Sequence, residues 1–400
     1  MIGRRFWLVV LFVASVDGLF ADTILEQPLL PFTSKYAAQG FSGTVTDNSF
    51  ASMFSNPASF YSDKALITIL DTSMWFHIAP RYLLATILPF LDPSAGASLT
   101  DAVSLQATSN GIGAGLSAGF GYTGKGIGIG LSLVTDSYLY GKSFPLGIEG
   151  VIAGEYTIIV GGAGELNLWG AKITAGADVR PFIRAYTALD AESSGQLLVS
   201  MLGMGELGAS TPFGEQKNTL TGYGLALDIG IRARIADSLI LGAVLRDIGN
   251  TRLYYTRNTF NQAFSSFFLF SVPQGGDALS DLYIVPMSVR LGISWHPDLK
   301  ELALLFDPTL TVEIADPFGW TDPSVYTTQS WLTRLHLGTE LKLLNSVFLR
   351  AGINSGYLTW GLGFDLRYVA IDLASYTVER GINPGDRPCS GISINLNIRL

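Results

Sequence analysis

The run Thr221 to Asp237, TGYGLALDIGIRARIAD, carries an apolar residue at every second position: Tyr223, Leu225, Leu227, Ile229, Ile231, Ala233 and Ile235. Between them stand Gly224, Ala226, Asp228, Gly230, Arg232 and Arg234. A period of two is the mark of a β-strand with one greasy face and one small or charged face. Such a strand needs something apolar against one side and something polar against the other. That requirement restricts what the chain can become.

The pattern recurs. Ile112, Ala114, Leu116, Ala118, Phe120 and Tyr122 alternate with small residues; after the turn Thr123-Gly124-Lys125-Gly126, Ile127, Ile129, Leu131 and Leu133 do the same. A Gly-rich link of this kind between alternating runs is a hairpin signal. Strands are expected near 64–76, 111–122, 126–140, 150–164, 169–188, 219–235, 239–256, 281–296, 301–315, 331–343, 347–355, 357–366, 368–378 and 389–400, an even fourteen. Gly126, Gly128 and Gly130 make the third of these a candidate for weak pairing.

Composition says what the apolar faces meet. Only 14% of residues are charged, well under the usual quarter. Mean hydropathy is positive, too apolar for an ordinary soluble surface. The start, MIGRRFWLVVLFVASVDGLFA, reads as an export signal over 1–21, with Arg4 and Arg5 ahead of a short apolar stretch. A twin-arginine signal and a signal anchor are the alternatives, and the apolar stretch is short for a bilayer. No later segment reads as a membrane helix. An exported, apolar-rich chain built of alternating strands points to an all-β transmembrane antiparallel barrel, since lipid cannot solvate an open sheet edge. A soluble β-sandwich also alternates, but needs neither an apolar face on nearly every strand nor one-sided loops.

The connections are one-sided. Long links are expected near 77–110, 189–218, 257–280, 316–330 and 379–388, and tight turns at Gly124-Lys125, Ala236-Asp237-Ser238 and Leu344-Asn345-Ser346. That asymmetry is typical of outer-membrane barrels. Trp75, Tyr138, Tyr140, Trp169, Tyr186, Trp295, Trp331 and Tyr368 fall near strand ends, where an interfacial girdle would stand.

Residues 22–63 precede the barrel of 64–400. They are too apolar for a free linker and too short for a separate plug domain, which suits a segment threaded into the lumen. Within them, QGFSGTVTDNSFASMFSNPASF resembles the N-terminal hatch of the FadL-type long-chain fatty-acid transporters: a Gly-rich stretch, an acidic step at Asp47, then Asn56, Pro57 and Ala58 just before the first strand. Downstream, LILGAVLRDIGN, IVPMSVRLGISW and VFLRAGINSGYLTWGLGFDLRY resemble FadL-like outer-membrane proteins of spirochaetes. The resemblance implies a fourteen-stranded barrel with its N-terminus inside as a hatch, delivered to the outer membrane by the barrel assembly machinery. It also implies that hydrophobic cargo lands in a groove of two outer loops, passes the hatch and leaves sideways. The chain departs from the bacterial pattern by ending on Leu400 rather than an aromatic residue.

Two outer segments suit the groove on their own chemistry. SGQLLVSMLGMGEL can present Leu197, Leu198, Met201 and Leu202 on a helix; NQAFSSFFLFSVP presents Phe264, Phe267, Phe268 and Phe270. Exposed greasy patches usually mark binding surfaces, although such helices can also cap one another and seal the barrel mouth. Long-chain fatty acids, other hydrophobic small molecules and membrane lipid are the expected partners. The alternatives are a hydrophilic porin, which needs a wide open lumen, and an accessory or adhesion barrel whose loops hold a partner.

Other chemistry is weakly represented. GLSAG around Ser117 matches a nucleophile elbow, but lies mid-strand rather than at a strand-to-helix turn. Gly141-Lys142-Ser143 lacks the P-loop glycine. His77, His296 and His336 are scattered and Cys389 is the sole cysteine, so no cofactor, metal or catalytic residue is expected. The net charge of −8 with no basic cluster argues against a nucleic-acid partner. Asp228, Arg232, Arg234, Arg246, Asp247 and Arg290 are expected to face the lumen and pair there or hold the hatch.

Overall fold

The computed structural model describes residues 23–45, 49–80, 99–144, 147–168, 170–201, 212–236, 238–273, 275–326 and 328–400. Fourteen antiparallel strands follow one another around a closed barrel: β1 Leu66–Phe76, β2 Ala114–Gly124, β3 Ile127–Gly141, β4 Ile148–Leu168, β5 Ala171–Leu189 and β6 Thr219–Ala236. Then come β7 in two pieces, Leu239–Arg246 and Thr251–Asn258, and β8 likewise, Leu282–Val285 and Ser288–Trp295. The set ends with β9 Phe306–Ala315, β10 Leu335–Leu343, β11 Val347–Asn354, β12 Tyr357–Asp365, β13 Val369–Glu379 and β14 Pro388–Arg399. β14 pairs with β1, Ile392 opposite Phe76 through Ile398 opposite Leu70, and removes the sheet edges. Among the described residues no helix is long and apolar enough to cross a membrane.

The alternation sorts as its chemistry requires. Leu225, Leu227, Ile229 and Ile231 of β6 stand exposed on the outer face, Leu225 at 58%. Ala226, Asp228 and Gly230 between them face in. Ile127 and Ile129, Ile158 and Val160, Leu291 and Ile293, and Ile371 and Leu373 continue the exposed apolar belt around the barrel. It is the surface a bilayer solvates.

One end of the barrel has tight turns, helped by left-handed Lys125 and Gly126, and by Leu344 and Asn345. Short helices α1 Ser34–Ala38 and α2 Phe50–Met53 precede the first strand, and the other end has the long connections, with helices α3 Leu99–Ser109, α4 Ala191–Met201, α5 Pro212–Glu215 and α6 Phe260–Phe268. Ser355-Gly356 is the exception, a tight turn on the long-loop end.

Several expectations need correction. Residues 300–304 and 331–334 are 3-10 turns ahead of β9 and β10 rather than strand. The Gly-rich β3 is paired along both edges. The interruption instead lies in β7, where Asp247–Asn250 bulge with three left-handed residues, Asp247, Gly249 and Asn250. Trp75 and Tyr138 are buried rather than part of an interfacial girdle. In β1, a register shift between Thr68 and Asp71 reverses the parity, so Met74 and Phe76 face out and Trp75 faces in. Trp295, Trp331 and Tyr368 are exposed as a girdle needs, and Trp169 lies outside the described residues.

Candidate functional site: the filled lumen and the outer loops

Most of residues 29–45 and 49–60 lies inside the barrel, where wall side chains meet several of its polar backbone groups. The short helix α1, Ser34–Ala38, packs Ala38 against Gly361 of β12, and the Ser34 hydroxyl donates to Ser393 Oγ of β14. Gly40 follows in the left-handed region at φ 65°; a Cβ there would sit 2.4 Å from the Leu337 carbonyl oxygen. Its N–H donates to Thr359 Oγ1, and its carbonyl oxygen lies 2.9 Å from His336 Nδ1. The N–H groups of Gly43 and Thr44 both donate to Glu313 Oε2, at 2.9 and 2.8 Å. Glu313 in turn accepts from Arg290 Nη1.

The second half is pinned by its Asn-Pro-Ala step. Asn56 Oδ1 accepts from Ala58 N and caps the 3-10 turn Pro57–Phe60. Its Nδ2 donates to the Thr44 carbonyl at 2.8 Å, and lies 3.4 Å from the Ile231 and Ala243 carbonyls of the wall. Pro57, at the first position of the turn, needs no donor there. The Ala58 carbonyl accepts from Arg232 Nη2 at 2.9 Å. Phe50, Met53, Phe54 and Phe60 form an apolar core with Ile159 of β4. The wall glycines make room for it: Gly119 meets Phe50, and Gly128 and Gly161 meet Phe60. Asp47 lies outside the described residues.

The inward charges gather in opposite-sign sets, in which both Asp178 carboxylate oxygens and the Arg246 Nε and Nη2 make no hydrogen bond among the described residues. Arg180, 2% exposed, donates through Nε and Nη2 to both oxygens of Asp228, with Asp247 at 3.5 Å. The Arg246 Nε is 3.5 Å from the same Asp228. Arg184 donates to Glu155 and reaches Glu26 of the lumen segment. Burial pushes the Glu26 carboxyl pKa up, against the lowering influence of Arg184.

A third cluster spans the long-loop end. His77 Nε2 lies 3.0 Å from Asp136 Oδ1, and His77 Nδ1 lies 3.3 Å from Tyr376 Oη and 3.5 Å from Cys389 Sγ. Trp75 Nε1 donates to Asp136, and the Arg380 guanidinium sits 4.0 Å over the Tyr138 ring. Burial discourages charge on His77, but the Asp136 hydrogen bond and the Cys389 contact outweigh it and lift its pKa above the ordinary imidazole value. Sequence spacing could not reveal this set, because its members stand on β3, β13, β14 and the end of β1. Cys389 is fully buried there. Ser117 is a buried mid-strand residue facing the lumen.

Two cavities flank the segment. One, of about 290 Å³, is walled on one side by Phe32, Trp75 and Tyr376 and on another by the charged Asp136, Arg246 and Glu313. Phe32 stacks on Trp75 at 4.8 Å there. The other, of about 570 Å³, reaches the short-turn end and is polar, with Asp71, Glu340, Arg350 and Asn397 on its walls.

The loop residues lie apart from the lumen. Phe267, 6% exposed, packs its ring 4.5 Å from Tyr156, and Phe270 packs 4.3 Å from the same ring. Phe264 and Phe268 are stacked edge to face at 4.7 Å, and each is 53% exposed. Leu197 and Phe260 pack on a rim cluster of Val103, Ala107, Leu139, Ile148 and Leu189. The structure therefore brings Leu197 near the root of the Phe-rich helix. The side chains of Leu198, Met201 and Leu202 lie outside the described residues.

No protein-family model matches the chain, and no curated protein sequence does. Among solved structures it is similar to the toluene transporter TodX of Pseudomonas putida, at TM-score 0.46 and 13% identity over 94% of this chain and 99% of that one. It is similar to the toluene transporter TbuX of Ralstonia pickettii, at TM-score 0.47 and 14% identity over 93% and 98%. A FadL homologue of Pseudomonas aeruginosa matches at TM-score 0.42 and 11% identity over 94% and 99%.

Proposed function

We propose that the chain is an outer-membrane channel for passive uptake of long-chain fatty acids or other hydrophobic molecules. Residues 1–21 export it, the barrel assembly machinery inserts residues 64–400, and residues 22–63 act as a hatch. The observation that carries this reading is the lumen itself. Its bore is occupied by an apolar-cored segment, and beside it lies a cavity walled by aromatic rings together with charged groups such as Asp136, Arg246 and Glu313. Ions and sugars meet a closed path, whereas an acyl chain gains about 0.8 kcal/mol for each methylene it buries. Capture falls to the apolar outer loops, with Leu197, Leu198, Met201 and Leu202 and the exposed Phe264, Phe268 and Phe270 as the capture surface, and buried Phe267 anchoring the helix that carries the last three. The hatch is held by polar contacts spread along its length, with Asn56, Glu313 and Arg232 fixing its middle, and its displacement would open the bore.

The test is binding of a fluorescent long-chain fatty acid to the purified protein in detergent, displaced by unlabelled hydrophobic competitors. Saturable binding that weakens with Phe264→Asp supports the reading. Absence of saturable binding, together with steady ion conductance in planar bilayers, overturns it in favour of a hydrophilic porin.

A further inference from the structure

The Phe-rich loop helix lies against the outer wall of the barrel, not over its mouth. In β4, Gly161 meets lumen-bound Phe60, so odd positions face in and Gly154 and Tyr156 face out. Phe267 rests on those two outward residues: its ring lies 4.5 Å from that of Tyr156, and a Cβ on Gly154 would stand 2.8 Å from it. The partners of Tyr156 run on as a row of outward positions, Ile183 on β5, Tyr223 on β6 and Tyr254 on β7. Tyr223 and Tyr254 are exposed and stacked at 5.4 Å. Below them towards the short-turn end begins the apolar belt of Leu225, Leu227 and Ile229. An aromatic row capping an apolar belt marks the membrane–water interface.

The helix descends to that row. Phe260, at its start, joins the rim cluster beside Ile148 and Leu189, at the loop ends of β4 and β5. Phe267, at its end, has reached Tyr156, eight positions further down β4. Beyond it, Phe268, Leu269 and Phe270 are exposed, Leu269 at 76%. No residue from Thr259 to Pro273 is charged. Arg252 stands exposed on the outer face two positions below Tyr254, where its stem can lie on apolar surface and its head reach lipid phosphates. A charge-free tip with this much apolar surface, held at the interfacial row and continuous with the lipid-facing belt, has one fitting occupant.

We propose that Phe268, Leu269 and Phe270 are immersed in the adjoining lipid leaflet, so that α6 is an interfacial helix whose partner is membrane lipid. The inference rests on the transport reading only in taking the barrel as membrane-embedded. Its consequence for that reading is that hydrophobic cargo dissolved in the leaflet reaches the loops from the side.

The test uses the full chain with Cys389 replaced by Ala, and single cysteines carrying an environment-sensitive fluorophore. The protein is reconstituted in phosphatidylcholine–phosphatidylglycerol vesicles, with and without brominated acyl chains. Position 269 should show the blue-shifted emission and bromine quenching of a lipid-facing control at Leu225. Position 262, on the polar side of the helix, should behave as a water-exposed site. Heat-shifted gel mobility confirms that each variant is a folded barrel. Emission from 269 that matches 262 and ignores brominated lipid overturns the inference. Fatty-acid binding is measured on the same samples, so that result leaves the transport reading standing, whereas loss of saturable binding in every sample counts against the transport reading alone.

Discussion

Asn56→Ala is the sharpest probe of how the lumen segment is held. The side chain is almost fully buried, and does two jobs at once. Its oxygen caps the turn at Pro57–Phe60, and its amide nitrogen donates to the Thr44 carbonyl, joining the two halves of the segment. Loss of an N-cap costs about 1 kcal/mol. Loss of a buried donor that leaves its acceptor unmet costs about 1–2 kcal/mol more. The sum, about 2–3 kcal/mol, raises the undocked population roughly 30- to 150-fold at tenfold per 1.4 kcal/mol. The barrel ladder does not pass through Asn56, so the cylinder itself should stay folded. In planar bilayers the wild-type chain should be mostly silent, and the variant should flicker open; protease should also cut the variant between residues 40 and 60 more readily. Asn56→Asp keeps the capping oxygen but turns a carboxylate towards the Thr44, Ile231 and Ala243 carbonyls. It should raise conductance at least as much as Ala. If both variants stay as silent and as protease-resistant as the parent, Asn56 does not hold the segment, and the docking account is wrong.

Three further outcomes follow from the same geometry. Gly230→Val should displace the segment from the wall, because a Cβ there would sit 1.8 Å from Asn56 Oδ1; faster proteolysis of residues 40–60 in a folded barrel is the readout. Arg180→Met leaves Asp228 and Asp247 buried without their shared partner; a penalty of about 3–5 kcal/mol should lower the temperature of the heat-induced gel shift. His77 has a raised folded pKa, so its contribution is fully present below the ordinary imidazole value and fades as pH rises through the raised one. Thermal stability should therefore fall on alkalinisation across neutral pH, and His77→Gln should flatten that dependence.

The barrel was legible because lipid and lumen impose a strict period of two, and fourteen such segments with loops at one end admit few other closures. Boundaries slipped where a 3-10 turn runs into its strand with no Gly or Pro between them, as at Lys300–Leu304 and Trp331–Arg334. Trp75 was misplaced because a register shift in β1 reverses parity, and a register shift leaves no mark in residue type. Glycine weakens isolated strands, which makes β3 look like the weak point of the wall. Instead those glycines make room for Phe60, Met53 and their neighbours, and β3 keeps its ladder. The cluster of His77, Asp136, Tyr376 and Cys389 could not be read at all, for it exists only once β14 closes on β1. The Phe-rich loop announced an apolar surface, but only the parity of Gly154 and Tyr156 tells which side of the wall it covers.

The most direct measurement is paired uptake by cells whose outer membrane carries this chain as its main barrel: a labelled long-chain fatty acid and a labelled small sugar, compared in one preparation. A bore filled by an apolar-cored segment, with apolar loops outside it, predicts that expression speeds the fatty acid and leaves the sugar at background. Faster sugar with unchanged fatty acid would contradict it, and would make the segment inside the barrel no barrier to water.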